Sequence, residues 1–406
     1  MITKINVEGF KLHAKTSINA KPITIFIGPN NSGKSSLIQA VQSLCQTTNS
    51  NIFIPHIRRL PEKSAYLYPC NTYKIDPGRF EDVLKKGSEY ICIALAGKTS
   101  GRVLSEKNKI MEVEFEVKIK DNYLLSHKGR VKDYYWWDYN IGNSQAQNVC
   151  KGVHPTGNFQ LVDKLKCDND NFPMNLLESC YFIYPIRGFE EAGYLLPEEP
   201  SQRYSTLENI TLNDRVVTLI AAFAYNADLR KEVAQKLSQI MGYGIDIDIQ
   251  WIGSNRVKIL LKEPVNTPIV NEGSGFQQMI FIVLPLILIP DNSTVFIQEP
   301  EVHLHPKAQV EIGRLLIKFV ENKNSQLFIE THSEHILHAF LYAIATQQIS
   351  KDDLAIYYFE NKEWSAKVTA LEIDELGRVK DGFPGFFEQS LEELTEFLDA
   401  IKRREK

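Results

Sequence analysis

Apolar residues come in short unbroken runs along this chain, and each run ends abruptly in small, polar or charged residues. Residues 22–27 (PITIFI), 294–297 (TVFI) and 326–329 (QLFI) are short and rich in β-branched and aromatic side chains, which predicts strands of the fully buried kind. Residues 354–359 predict a further strand. The longest run, 279–289 (MIFIVLPLILI), is too short to cross a bilayer and predicts a buried helix. After the first strand, Leu37, Ile38, Val41, Leu44 and Cys45 recur at helical spacing. Residues 90–95 and 111–119 read as strands, the second alternating apolar and charged as a half-exposed antiparallel strand does. The pattern turns helical over 212–241 and returns to strands over 245–261. Leu391, Leu394, Leu398 and Ile401 predict a terminal amphipathic helix with a basic end at 402–404. No heptad pattern is sustained and no period of 20 to 50 residues appears, which excludes coiled-coil arms and repeat arrays.

Composition narrows the class without revealing a function. With 406 residues, 43% hydrophobic and 24% charged, the chain is an ordinary globular protein of one large or two smaller domains, not a disordered or low-complexity one. The net charge of -4 removes any case for nucleic-acid binding from total charge and leaves only local basic patches. Six cysteines without a CxxC pair, and an opening MITKINVEGF with neither a basic nor an apolar leader region, predict a cytoplasmic protein with reduced thiols and no membrane contact.

The chemistry begins where the first strand stops. Gly28-Pro29-Asn30-Asn31-Ser32-Gly33-Lys34-Ser35-Ser36 is GxxxxGKS between a strand and a helix. Gly28 and Gly33 let the backbone of Asn30, Asn31 and Ser32 turn its N–H groups toward phosphate oxygens, and the helix starting near Lys34 adds its positive end. Lys34 then reaches the β- and γ-phosphates and Ser35 holds Mg²⁺. Hydrolysis also needs an acid beyond a second buried strand. Gln298-Glu299-Pro300-Glu301 supplies one, and the strand at 326–329 ends in Glu330-Thr331-His332-Ser333. Because ligand chemistry gathers at the carboxyl ends of parallel strands, Glu299 and His332 are expected to face the nucleotide. Ahead of the apolar helix lies a glycine-bearing turn containing Ser274, Gly275 and Gln277.

These motifs, in this order, resemble the ABC-type P-loop ATPases, an AAA-related group. The nearest likeness is to the RecF/OLD-like branch, which includes the ATPase subunits of several bacterial anti-phage systems. In that branch the second strand reads EEPE-x-HLHP, and residues 298–306 read QEPEVHLHP. The tail 381–389 is also similar. The likeness spans about residues 1–48 and 265–390, and it implies an α/β head of ABC type with an inserted mixed α+β lobe over 49–264 and a terminal helix at 391–406. It also implies ATP and Mg²⁺ as ligands, Lys34 and Ser35 at phosphate and metal, Glu299 as general base, and His332 at the γ-phosphate. Ser274, Gly275 and Gln277 become a signature turn that closes over the nucleotide of another subunit in a head-to-tail dimer. One departure stands out. The position before the catalytic acid is normally acidic and helps hold the metal, whereas Gln298 brings no charge, so turnover is expected to be slow.

Other clusters carry less. His303, His305 and Glu301 have metal-like spacing, but the resemblance accounts for them as an interface loop. Cys150, His154, Cys167 and Cys180 lack the paired spacing of a zinc site. Lys128, Arg130 and Lys132 precede Tyr134, Tyr135, Trp136 and Trp137, a combination that can bind DNA or RNA, although a solvated hairpin packing its aromatics on the lobe is the favoured reading. Arg187 and Gly188 match a recurrent element of the family. Only 74 residues follow His332, which predicts no intrinsic nuclease and a separate effector protein for any cutting. A nucleotide-clamped scaffold and a DNA-repair ATPase are the alternative readings; a transporter subunit fits the large insertion poorly.

Overall fold

The computed structural model describes residues 1–49, 80–103, 106–120, 123–131, 135–140, 175–185, 189, 193–196, 220–262, 266–380 and 382. Cys150, His154, Cys167, Arg187, Gly188, Lys132, Tyr134, the tail at 383–389 and the helix at 391–406 lie outside them. Single-turn helices aside, the elements begin β1 (Ile2–Phe10), β2 (His13–Asn19), β3 (Ile23–Ile27), α1 (Lys34–Asn49), β4 (Ile91–Val103), β5 (Glu106–Lys120), β6 (Tyr123–Val131), β7 (Tyr135–Asn140) and β8 (Cys180–Ile183). They continue with β9 (Tyr194–Leu195), α2 (Ala227–Met241), β10 (Ile247–Ile252), β11 (Arg256–Leu261), β12 (Thr267–Pro268) and α3 (Ser274–Leu288). The last are β13 (Thr294–Gln298), α4 (Pro306–Lys323), β14 (Gln326–Glu330), α5 (Glu334–Ala345), β15 (Leu354–Lys362) and β16 (Ser365–Leu371).

The short apolar runs form one sheet, ordered β16-β15-β3-β14-β13-β8, in which every pairing but β15 with β16 is parallel. Every residue of β3, β13 and β14 is buried, as strands covered on both faces must be. Alternation then assigns side chains to two cores. Ile25, Ile27, Val295, Ile297, Leu327 and Ile329 face α2, α3, α4 and α5. Phe26, Phe296, Phe328 and Phe182 face the other way, toward α1 and the N-terminal sheet. Phe182, Phe296 and Phe328 sit in register on adjacent strands with ring centroids 4.9 and 4.4 Å apart, nearly parallel. That stack locks the register of the strands that end in the candidate site.

The second sheet is antiparallel, β2-β1-β4-β5-β6-β7, and the third is β10-β11-β12 with β9 beside β11. Gln326 joins the first two sheets: its Oε1 accepts from the Ile2 N–H at 2.7 Å and its Nε2 donates to Ile2 O at 2.7 Å. Segment 49–264 supplies strands to all three sheets. β4 to β7 extend the sheet begun by β1 and β2, and β8 forms an edge of the parallel sheet. The head is therefore built from strands far apart in sequence: β4 of the insertion covers the edge of β1 and β8 that of β13, while β2 and β16 stay at the opposite edges. Helix α3 is the apolar run expected to be a helix; its residues from Met279 to Leu286 are buried, and no helix among the described residues is long and apolar enough to cross a membrane.

Candidate active site

The loop after β3 is shaped by two close approaches. A Cβ on Gly28, at φ 137°, would stand 2.2 Å from Phe359 O, and one on Gly33, at φ 103°, would meet the His13 ring at 3.2 Å. Neither position tolerates a side chain. Asn31 occupies the left-handed region at φ 59°, and its carbonyl accepts from Asn361 Nδ2 at 2.9 Å. Asn30 and Asn31 are exposed, Ser32, Gly33 and Lys34 are buried, and Ser35 and Ser36 are half-buried. Lys34 folds back over the loop, its Nζ donating to Gly28 O at 3.0 Å and Pro29 O at 2.8 Å. Burial lowers the Lys34 pKa, opposed by the nearby carboxylates of Glu330, Glu299 and Glu301.

His13, on β2, supports this loop from beneath. It is fully buried, with Nε2 2.9 Å from Gly33 O and Nδ1 2.9 Å from Thr16 Oγ1. A carbonyl can only accept, so Nε2 carries the proton and Nδ1 accepts from the Thr16 hydroxyl. Desolvation pushes the ring pKa down to about 4, so His13 is neutral at ordinary pH.

The acids converge from two adjacent strands. Glu330, the last residue of β14, is 1% exposed. Ser35 Oγ donates to its Oε1, and Gln298 Nε2 donates to its Oε2 at 2.8 Å. Burial raises the Glu330 pKa; these two hydrogen bonds and the Lys34 charge oppose the rise. Glu299 follows on β13's end, half-buried, with φ 44° and its N–H donating to Glu330 O at 2.7 Å. A positive φ at a non-glycine residue is costly and is held by surrounding structure. Glu301 is buried, which raises its pKa, and its Oε1 accepts from the His332 N–H at 2.6 Å. His332 is half-buried, and burial together with the Lys34 charge pushes its pKa down to about 4. Ser333 then caps α5, accepting from the Ile336 N–H at 3.1 Å.

The parallel sheet thus brings Gly28 to Ser36, Gln298, Glu299 and His332 to the carboxyl ends of three adjacent strands. Ser274, Gly275 and Gln277 lie elsewhere. Their turn packs on the loop after β13, since a Cβ on Gly275 would stand 2.4 Å from His303 O. Gln277 is tied within that turn: Nε2 donates to Val270 O at 2.9 Å and Glu272 O at 2.8 Å, while Oε1 accepts from the Phe189 N–H at 3.1 Å. Ser274 is exposed. His305 Nδ1 accepts from the Lys307 N–H as the cap of α4, and no three His, Cys, Asp or Glu residues gather as a metal cluster among the described residues. The residues missed by motif reading are Glu330, Glu301 and His13. Glu330 did carry a signal, for a carboxylate closing an otherwise apolar buried strand must have partners.

A hydroxyl, a carboxylate and a carboxamide meet at Ser35, Glu330 and Gln298, and these oxygen-bearing groups suit a hard divalent cation such as Mg²⁺. Fold and site together define an ABC-type P-loop ATPase of the RecF/OLD-like kind. The AAA ATPase domain family matches residues 1–179 and 207–337, and the chain belongs to that family. A family of proteins of unknown function matches residues 349–397. The chain is 24% identical over 281 residues to the DNA double-strand break repair Rad50 ATPase of Methanococcus maripaludis, covering 61% of this chain and 26% of that protein. It is 25% identical over 397 residues to the endonuclease GajA of Bacillus cereus, covering 81% of this chain and 54% of that protein. The chain thus spans about a quarter and about half of the lengths of these two relatives. In fold it is similar to an SMC head bound to the C-terminal winged-helix domain of ScpA, with a TM-score of 0.50, 13% identity, and coverage of 92% of this chain and 98% of that one.

Proposed function

We propose that this chain binds ATP with Mg²⁺, closes as a head-to-tail dimer and hydrolyses ATP slowly, gating a separate effector such as a nuclease in cytoplasmic anti-phage defence. The observation that carries this reading is the gathering of Lys34, Ser35, Glu330, Glu299 and His332 at the carboxyl ends of β3, β14 and β13. Lys34 and the loop N–H groups bind the phosphates. Glu299, held by its bond to Glu330 O, accepts the proton of attacking water. His332, neutral at ordinary pH, donates an N–H to the γ-phosphate. Ser35, with the carboxylate beside it, would hold Mg²⁺, which neutralises charge on the phosphates. The uncharged Gln298 favours slow turnover. Similarity to GajA favours the defence setting, and similarity to the Rad50 ATPase favours a DNA-repair setting as the alternative.

Phosphate release by the wild type and by Glu299→Gln tests the reading. We expect the substitution to lower the rate by about 10² to 10⁴-fold while ATP binding persists. Equal background rates would instead support the nucleotide-clamped scaffold that Gln298 also favours. The separate-effector part is tested by incubating the purified chain with DNA or RNA and Mg²⁺ or Mn²⁺; cleavage by the chain alone overturns it.

A further inference from the structure

Residues 298 and 330 are paired in the parallel register of β13 and β14, and their side chains touch: Gln298 Nε2 lies 2.8 Å from Glu330 Oε2. A carboxylate on either residue therefore addresses the same space beside the Ser35 hydroxyl, which bonds the other Glu330 oxygen. We propose that Glu330 is the carboxylate this chain directs to Mg²⁺, the charge having moved one strand over from position 298 on β13 to position 330 on β14. The inference rests on the ATP and Mg²⁺ reading above and goes further by assigning the acid.

Three observations support it. Glu330 is buried against one hydroxyl and one carboxamide, and a carboxylate so desolvated needs a cation nearby. The Lys34 charge acts on Glu330, yet its Nζ hydrogen bonds go to Gly28 O and Pro29 O. A loop carbonyl pair and a phosphate compete for Lys34, whereas a divalent ion at Ser35 pairs with Glu330 without moving it. Gln298 then acts as a support, because its donated N–H fixes the carboxylate plane, as outer partners of metal ligands do. Glu299, one residue on, bonds the Glu330 carbonyl, so the general base and the metal-directed acid are built on a single backbone contact.

Mn²⁺ serves as the probe, its binding read by loss of the free-ion electron paramagnetic resonance signal with a non-hydrolysable ATP analogue present. Binding of a fluorescent ATP analogue in excess chelator reports the nucleotide alone. For Glu330→Gln we expect Mn²⁺ affinity to fall about 10- to 100-fold while metal-free nucleotide binding stays at the wild-type level. The transposed variant Gln298→Glu/Glu330→Gln keeps the paired hydrogen bond with its roles exchanged and should recover most of the lost affinity. Glu330→Asp, which keeps charge and cavity but withdraws the carboxylate, should weaken Mn²⁺ as well. Wild-type Mn²⁺ affinity in Glu330→Gln or Glu330→Asp, or a transposed variant no better than the single one, overturns the assignment. A wild type that binds no nucleotide in either condition overturns the parent reading instead.

Discussion

His13 Nε2 donates to the carbonyl of Gly33 across 2.9 Å, so a neutral, buried imidazole on β2 holds the loop after β3. The ring is neutral because burial desolvates its charged form, which outweighs the opposing pull of the Gly33 carbonyl, and its pKa is pushed down to about 4. Unfolding releases the ring to its ordinary value near 6.5. Between these limits the unfolded chain binds a proton that the folded chain refuses, so this residue's contribution is full above pH 6.5 and is lost as pH falls toward 4. The expected slope is at most about 1.4 kcal/mol per pH unit. His13→Gln replaces the donor without a titrating ring. The difference in urea midpoints between wild type and variant should therefore change steadily from pH 7 to pH 4.5. A difference independent of pH would contradict the buried neutral ring.

Gln277 spends its amide within its own turn, bonding Val270, Glu272 and Phe189. Those bonds hold the turn that carries the exposed Ser274. Gln277→Ala removes the hydrogen bonds to the Phe189 N–H and to the carbonyls of Val270 and Glu272, which costs roughly 1 to 3 kcal/mol. We expect a lower melting temperature, unchanged nucleotide binding at the loop after β3, and weaker ATP-dependent dimerisation in analytical ultracentrifugation. Loss of nucleotide binding together with dimerisation would show that the turn does more than present Ser274.

Gly28 is irreplaceable for a geometric reason. At φ 137° an added Cβ falls 2.2 Å from the backbone oxygen of Phe359, and backbone on β15 cannot yield as a side chain does. Gly28→Ala should displace the loop from β15 and abolish binding of a fluorescent ATP analogue. Strained backbone of this kind costs about 1 to 3 kcal/mol before the clash is counted. Near-wild-type affinity in this variant would mean that the loop adopts another path.

The buried strands, the phosphate-binding loop and the apolar helix were legible because each is a local pattern: a short apolar run, a glycine spacing, a helical period. Glu299 and His332 were legible because motif order placed them at strand ends. His13 was not, for it lies 20 residues from Gly33 and meets it only when β2 folds under the loop. The acid partner of Ser35 was not legible either, since Glu330 is 295 residues away and its role appears only when β14 is inserted between β3 and β13. The place of β8 beside β13 was equally hidden. A four-residue strand carries too little pattern to reveal its neighbour, and the stack of Phe182 on Phe296 sets the pairing in three dimensions.

The two turns that would sandwich a nucleotide face different surroundings within one chain. The loop at 28–33 packs on His13, Phe359 and Ala366, whereas the turn at 273–275 packs on His303 and Leu304 and leaves Ser274 exposed. On the proposed head-to-tail reading, a complete site takes the loop of one copy and the turn of another. Lys34→Ala removes the phosphate ligand and Ser274→Arg blocks the turn with a bulky cation, so each variant alone should be inactive. Mixed, they form heterodimers in which one of the two sites has an intact loop from the second variant and an intact turn from the first. Hydrolysis should therefore reappear in the mixture and reach about a quarter of the wild-type rate, if equal amounts pair at random and the sites act independently. Recovery should vanish when Glu299→Gln is added to the Ser274→Arg chain, because that chain supplies the loop and general base of the restored site. If both variants fold and no mixture recovers hydrolysis, the composite head-to-tail arrangement is wrong.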